Sequence, residues 1–341
     1  MTLPRSKIVD PNVTRWYHCI TRCVRQASLL AEDQKAFDRK NWIESRLHEL
    51  DSIFAVSVAG FSILDNHLHL LLRIEPEIAN AWTPMEVARR WLTLYPPRVN
   101  RKKVAATKSD IERLAADTNW VDDKRKRLAT LGWFMKCLKE PLARLANRDE
   151  NRRGTFFEGR FKSIAILDEE SILTVAAYID LNPLAAGLSP LPESSPHTSI
   201  HDRIEHVVAS GRLSDIQEIR NGSVAAQKVS DGIEDDQWLI PIEDRRAQGS
   251  KREGIKPGFT LGQYLLLVDD MSRYVREGKA HLAREVASIM DRLEMDAQRM
   301  ADRVQRMLSS GRFYGSFLSA TQEGLRRAAT RLGVCRLVST A

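Results

Sequence analysis

Cysteine is scarce in this chain: four in 341 residues, Cys19, Cys23, Cys137 and Cys335, with no paired C-x-x-C units. That spacing excludes a disulfide scaffold and a cysteine-built zinc centre, and predicts four reduced thiols. No apolar run approaches the length of about 18 residues that a membrane-spanning helix needs, so no membrane partner is expected. The opening stretch MTLPRSKIVDPNV has no apolar core of a signal peptide, and the expected compartment is the cytoplasm, in association with the nucleoid. Neither a G-x-x-x-x-G-K-[ST] loop nor a G-x-G-x-x-G loop occurs, which removes support for ATP-driven and dinucleotide chemistry. Internal repeats are absent too.

What is present is an ordinary globular composition, 43% apolar and 28% charged, long enough for one large domain or two smaller ones. The formal charge is +7 and the pI about 9.3, a balance that suits a polyanionic partner such as nucleic acid. The positive charge is clustered at Arg98–Arg101–Lys102–Lys103, at Lys124–Arg125–Lys126–Arg127, and at Arg152–Arg153 with Arg160 and Lys162 beyond. Each run alone reads equally well as a solvated helix face. Several runs around one site favour phosphate binding.

Residues 13–24, VTRWYHCITRCV, read as a first strand, and apolar residues at Phe37, Ile43, Leu47 and Leu50 predict a helix capped by Asp33. Residues 53–64 are apolar on both faces, which predicts a central strand covered on each side. Asp65-Asn66 then makes a tight turn into a returning antiparallel strand. A long helical and polar stretch over 76–130, broken at Pro96-Pro97, reads as an insertion, followed by a helix near 130–147 that contains Pro141. The alternation of 155–167 predicts a strand with Glu158, Arg160 and Lys162 on one face, and Asp168 caps a helix running to Asn182, just before Pro183. The Pro/Ser-rich SPLPESSPHTS marks a boundary. The expected organisation is therefore a first domain over 1–188, a linker region over 189–255, and a helical C-terminal domain over 256–341 that includes a long amphipathic helix from Ala280.

The returning strand, HLHLLLRI, places two histidines in an aliphatic run. Residues two apart share a face, so Leu68, Leu70, Leu72 and Ile74 line the core while His67, His69, Leu71 and Arg73 face the other way. Two adjacent imidazoles suit many divalent ions and do not name one; a third ligand and a reacting group are needed. The helix after Asp168 offers both. Ile172, Val175, Ala176 and Ile179 form its apolar stripe, and Ser171, Thr174, Tyr178 and Asn182 a neighbouring polar face. Tyr178 and Asn182, four apart, are neighbours on the helix surface. The Asn182 amide oxygen is a candidate ligand and the Tyr178 phenol a candidate nucleophile.

Taken in order, DNHLHLLL, FEGRFKS and AAYIDLNPLAAGL resemble the single-tyrosine HUH transposases, in particular the REP-associated tyrosine transposases and related insertion-sequence enzymes acting on single-stranded DNA. The opening YHCITRCVRQ is similar to that family's first strand, and the resemblance runs from residue 13 to about residue 204, including PHTSIHDRI. It implies an α+β fold, an antiparallel ferredoxin-like HUH sheet packed with helices. It places the metal pair on His67 and His69, the third ligand on Asn182 and the nucleophile on Tyr178. The implied activity is cleavage and rejoining of single-stranded DNA, with hairpin or repeat ends, through a 5′-phosphotyrosine and with Mg2+ or Mn2+, by a monomer or homodimer. Arg73, Arg160 and Lys162 are the candidate phosphate contacts, and Trp16, Tyr17 and Phe157 are candidates for stacking on bases or for the core. The chain departs from the family pattern in the long 76–130 stretch and in having Asp65 before Asn66. The rival readings are an HUH replication initiator or relaxase-like nickase, a metal-dependent hydrolase using Asp65 or Glu158, and a non-catalytic DNA-binding protein.

Overall fold

The alternating, β-branched and aromatic residues of WYHCITR form the first strand, β1 (Trp16–Arg22), in a computed structural model that describes residues 9–31, 37–211, 238–277 and 313–314. Next come α1 (Arg39–Ile53), β2 (Val56–Ile63) and β3 (His67–Ile74). The Asp38 side chain caps α1 by accepting from the Asn41 N–H; Asp33, the expected cap, lies outside the described residues. The Asp65-Asn66 turn closes β2 onto β3 as an antiparallel hairpin, with the Leu64 N–H donating to the His67 carbonyl at 2.9 Å.

Between β3 and the next core helix lie α2 (Pro76–Ala81), α3 (Pro84–Leu94), a two-stranded ribbon of β4 (Arg98–Val99) and β5 (Lys102–Lys103), α4 (Lys108–Ala115) and α5 (Thr118–Leu128). The ribbon was not expected. Asn100 and Arg101, at φ 51° and 65°, supply the turn that folds this basic run back on itself. Two members of the second basic run pack against the fold: Arg125 donates to the Ala79 and Trp82 carbonyls, and Arg127 lies over the Trp133 ring, 4.6 Å from its centroid.

The core resumes with α6 (Leu131–Asp149), β6 (Lys162–Ile166), α7 (Glu169–Asp180), α8 (Asn182–Ala185), α9 (Ser199–Ala209) and α10 (Leu261–Glu277), and a two-residue strand, β7 (Phe313–Tyr314), lies beyond. Pro141 inside α6 has no N–H for the Cys137 carbonyl, and the Arg46 Nε from α1 donates to that carbonyl at 3.3 Å. Asp168 caps α7 as expected, accepting from the Ser171 N–H. The helix ends two residues earlier than expected: Leu181 is its C-cap, and Asn182 opens the short α8 with Pro183 in its first turn, where proline is tolerated.

The sheet order is β2-β3-β1-β6-β7, antiparallel among the first four and parallel between β6 and β7. With α1 and α6 as connections, the four antiparallel strands follow a β-α-β-β-α-β path. Both sheet faces are covered. On one, Tyr17, Cys19, Leu68, Leu70 and Leu72 pack with α1 and α6; on the other, Trp16, Leu71, Ile164 and Ile166 pack with α7, α9 and residues 240–268. Trp16, Tyr17 and Phe157 are buried, so all three belong to the core and none is exposed for base stacking.

Two further expectations change. Strand β2 is buried on both faces but sits at the sheet edge, because residues 197–203 and 240 cover the side where another strand would pair. The strand expected over 155–167 begins only at Lys162, because Gly159 sits at φ 146° and interrupts the extended run. Beyond residue 188, Ile240, Ile242, Ile255, Phe259, Tyr264 and Leu267 pack in one cluster with residues of α7 and β6. The amphipathic helix expected from Ala280 lies outside the described residues. Among the described residues, no helix is long and apolar enough to cross a membrane.

Candidate active site

Strand pairing assembles the site. The β1–β3 register sets Arg22 beside His67, Ile20 beside His69, His18 beside Leu71 and Trp16 beside Arg73. The β1–β6 register adds Lys162 beside Ile20 and Ile164 beside His18. Directly opposite residues on antiparallel strands share a face, so His67, His69, His18, Arg22 and Lys162 all project to the side that carries α7.

The imidazoles lean together. Ring centroids lie 4.9 Å apart for His67–His69, closer than the strand repeat of roughly 7 Å that separates residues two apart, and 5.0 Å apart for His18–His69 across the β1–β3 pair. Tyr178 meets them edge-on from α7, at 5.8 Å from His69 and 6.1 Å from His18. Its ring is half-buried, and burial pushes the phenol above its ordinary value, opposed by a hydrogen bond with Asn182 and by the Arg22 charge. Asn182 is buried at the first residue of α8. The structure therefore brings Tyr178, Asn182, His67 and His69 to one place, with Arg22 and Lys162 beside them.

Burial lowers all three histidines, His18 to about 3, His67 to about 4, and His69 well below its usual range, with neighbouring cationic groups adding to each shift. Near neutral pH each is an uncharged imidazole with one N–H and one lone pair. His67 Nδ1 lies 2.5 Å from Asn66 Oδ1, an acceptor, so Nδ1 donates and the lone pair falls on Nε2. His69 Nδ1 lies 2.8 Å from His18 Nε2. When His69 is the donor in that pair, its Nε2 lone pair is free as well.

These residues suit a divalent cation. Metal-binding imidazoles ordinarily donate their second ring N–H to a fixed partner, as His67 does to Asn66, and the uncharged ligand form needs no proton displaced. Among the described residues no group of three or more His, Cys, Asp or Glu side chains is arranged to hold a metal. Beside the imidazoles, the buried Asn182 carries a side-chain amide oxygen of the kind a divalent cation accepts as a ligand.

The remaining candidates lie elsewhere. Arg73 is on the same sheet face but buried: it pairs with Glu75, donates to the Glu253 carbonyl at 3.1 Å and stacks on Trp16. Its guanidinium is engaged with these groups inside the fold. Arg160 is exposed in the turn before β6, off the strand alternation that was to align it with Lys162. Asp65 is ion-paired to Lys40 at 2.8 Å, and Glu158 is exposed in that same turn. His18 and Arg22 were missed, although W-H-I-R alternates along β1 as plainly as H-H-L-R does along β3; what was lacking was the register between the two strands.

No family model matches this chain, and no curated protein matches it. Among solved structures, a REP-associated tyrosine transposase bound to a REP hairpin is similar at a TM-score of 0.29 and 11% identity, over 56% of this chain and 78% of that one.

Proposed function

We propose that the chain is a metal-assisted DNA strand transferase, a transposase of the single-tyrosine HUH kind, that cleaves and rejoins single-stranded DNA. The observation that supports this most is the convergence of Tyr178 and Asn182 on the paired imidazoles of His67 and His69, on a sheet face flanked by Arg22 and Lys162. The β-α-β-β-α-β path of the sheet agrees with it.

In this proposal His67, His69 and Asn182 hold Mg2+ or Mn2+, which when bound supplies Lewis-acid polarisation of the scissile phosphate. Arg22 and Lys162 bind its non-bridging oxygens. The Tyr178 oxygen attacks phosphorus: a Tyr–O–P bond forms, the P–O3′ bond breaks, the phenol loses its proton, and the departing 3′ oxygen gains one. The strand is left with a free 3′-hydroxyl and a 5′-phosphotyrosine. Attack by another 3′-hydroxyl reverses the step and joins new ends. Because the phosphotyrosine retains a phosphodiester bond, no nucleotide hydrolysis is needed, consistent with the missing phosphate-binding loops.

The test is incubation of the full chain with Mn2+ and end-labelled single-stranded DNA ending in hairpin repeats, resolved on a denaturing gel. A labelled band at protein mass is expected, and EDTA is expected to abolish it. Release of both DNA ends without an adduct indicates a hydrolase, and an intact strand a binding protein; either outcome overturns the proposal.

A further inference from the structure

On the sheet face opposite Tyr178, α1, α6, the end of α3 and the basic ribbon enclose a cleft of about 830 Å3. Six cations line it, Arg46, Arg98, Lys103, Lys136, Arg144 and Arg148, against the two acids Glu49 and Glu140. Each acid is already answered, Glu49 by Arg46 at 2.5 Å and Glu140 by Arg144 at 2.9 Å. Arg98, Lys103, Lys136 and Arg148 have no acidic partner among the described residues.

Two features point to a polyanion. Arg98 and Lys103 are directly opposed across the ribbon, an arrangement that costs stability unless negative charge intervenes, and all four strand residues of the ribbon are exposed. Along α6, Lys136 and Arg148 stand about 18 Å apart at the helical rise per residue, with the Glu140–Arg144 ion pair between them. A second pair of features points to bases. Tyr95 is 40% exposed at the mouth, its ring 4.8 Å from Trp91, and half-buried Trp42 lines the same cleft. Aromatic rings beside a track of cations are the elements that bind single-stranded nucleic acid without sequence preference.

We infer that this cleft is a second nucleic-acid site, taking the sugar-phosphate backbone of a single strand along Arg98, Lys103, Lys136 and Arg148, with a base stacked on Tyr95. It shares a nucleic-acid partner with the proposed chemistry but stands on the cleft alone. The sheet separates it from Tyr178, so it holds DNA without touching the reacting atoms.

Fluorescence anisotropy of a labelled oligothymidylate on the full chain tests it, read as affinity against salt. The triple variant Arg98→Ala, Lys103→Ala, Lys136→Ala removes three phosphate contacts, and the slope of log K against log salt is expected to become shallower by about 2. Tyr95→Ala is expected to weaken binding roughly 5- to 150-fold with the slope kept. Lys103→Gln with Arg148→Gln, a milder pair, is expected to lower the slope by about 1.4 and serves if the triple variant fails to fold. Wild-type affinity and slope in these variants overturn the site. So does equal competition by polyglutamate, or tighter binding of a duplex of the same length. Tyr178→Phe is expected to leave the slope unchanged, so loss of the covalent adduct and loss of this site are separately readable.

Discussion

Tyr178→Phe is expected to abolish covalent capture of single-stranded DNA while leaving the fold and DNA affinity nearly intact. The phenylalanine ring keeps the edge contacts that Tyr178 makes with His18 and His69. What is lost is one hydroxyl and its hydrogen bond with Asn182, worth about 1 kcal/mol of stability. The rate of adduct formation is a different matter. Removing the atom that forms the bond leaves no alternative nucleophile in the same geometry, and a fall on the order of 10⁴-fold or more is expected. A gel-shift titration beside a denaturing gel checks both halves at once. An undiminished adduct would remove Tyr178 from the role, and lost binding would give it a structural one.

Asp180 carries the second large effect, on stability. It lies between Tyr178 and Asn182 but on the opposite side of the helix, wholly buried. One carboxylate oxygen accepts from the Ser199 hydroxyl and from the Ile200 N–H at 3.0 Å, and the other from the Tyr264 hydroxyl. Arg203, also buried, supplies a nearby positive charge. One side chain thus ties the end of the tyrosine helix to α9 and α10. Asp180→Leu leaves three buried donors without this acceptor and removes one of the two carboxylates, Asp180 and Asp202, whose charge the buried Arg203 meets, and is expected to cost about 3–5 kcal/mol in denaturant unfolding. Asp180→Asn retains an oxygen acceptor and is expected to be milder. Burial raises the Asp180 carboxyl to about 6 from its ordinary 3.8. Between those values the folded state holds a proton the unfolded chain has released, so the contribution is full below 3.8 and is lost as pH rises through 6. The asparagine variant is expected to lose that part of the pH slope; an unchanged slope would show that Asp180 is ionised throughout.

How much of this was legible follows from the range of the interactions involved. The hairpin at Asp65-Asn66, the split of β3 into a leucine face and a histidine face, and the Asp168 cap are set by residues within a few positions of one another, and periodicity captures them. Tyr178 and Asn182 were found as neighbours on a helix, although the helix ends between them. His18 and Arg22 join the site only through the β1–β3 register, which no local pattern encodes. The surroundings of Arg73 are hidden for the complementary reason: the Glu253 and Gly254 carbonyls it donates to lie some 180 positions away, in a stretch whose composition reads as linker. The ribbon at 98–103 was hidden by its charge, since four basic residues in a row of six do not suggest a hairpin until the positive φ of Asn100 and Arg101 is known.

The outer side of β2 has a consequence for any shortened form of this chain. Its backbone groups are met one by one: the Val58 carbonyl by the Ile240 N–H, the Ala59 carbonyl by Arg203, the Phe61 N–H by the Ser199 hydroxyl, and the Ile63 N–H by the His197 carbonyl. All these partners come from beyond residue 195, past Tyr178 and Asn182 in the chain. A fragment ending at residue 188 would keep every proposed catalytic side chain yet bare an eight-residue apolar strand along its open flank, a template for self-association. Light scattering is expected to show that fragment aggregating where the full chain does not.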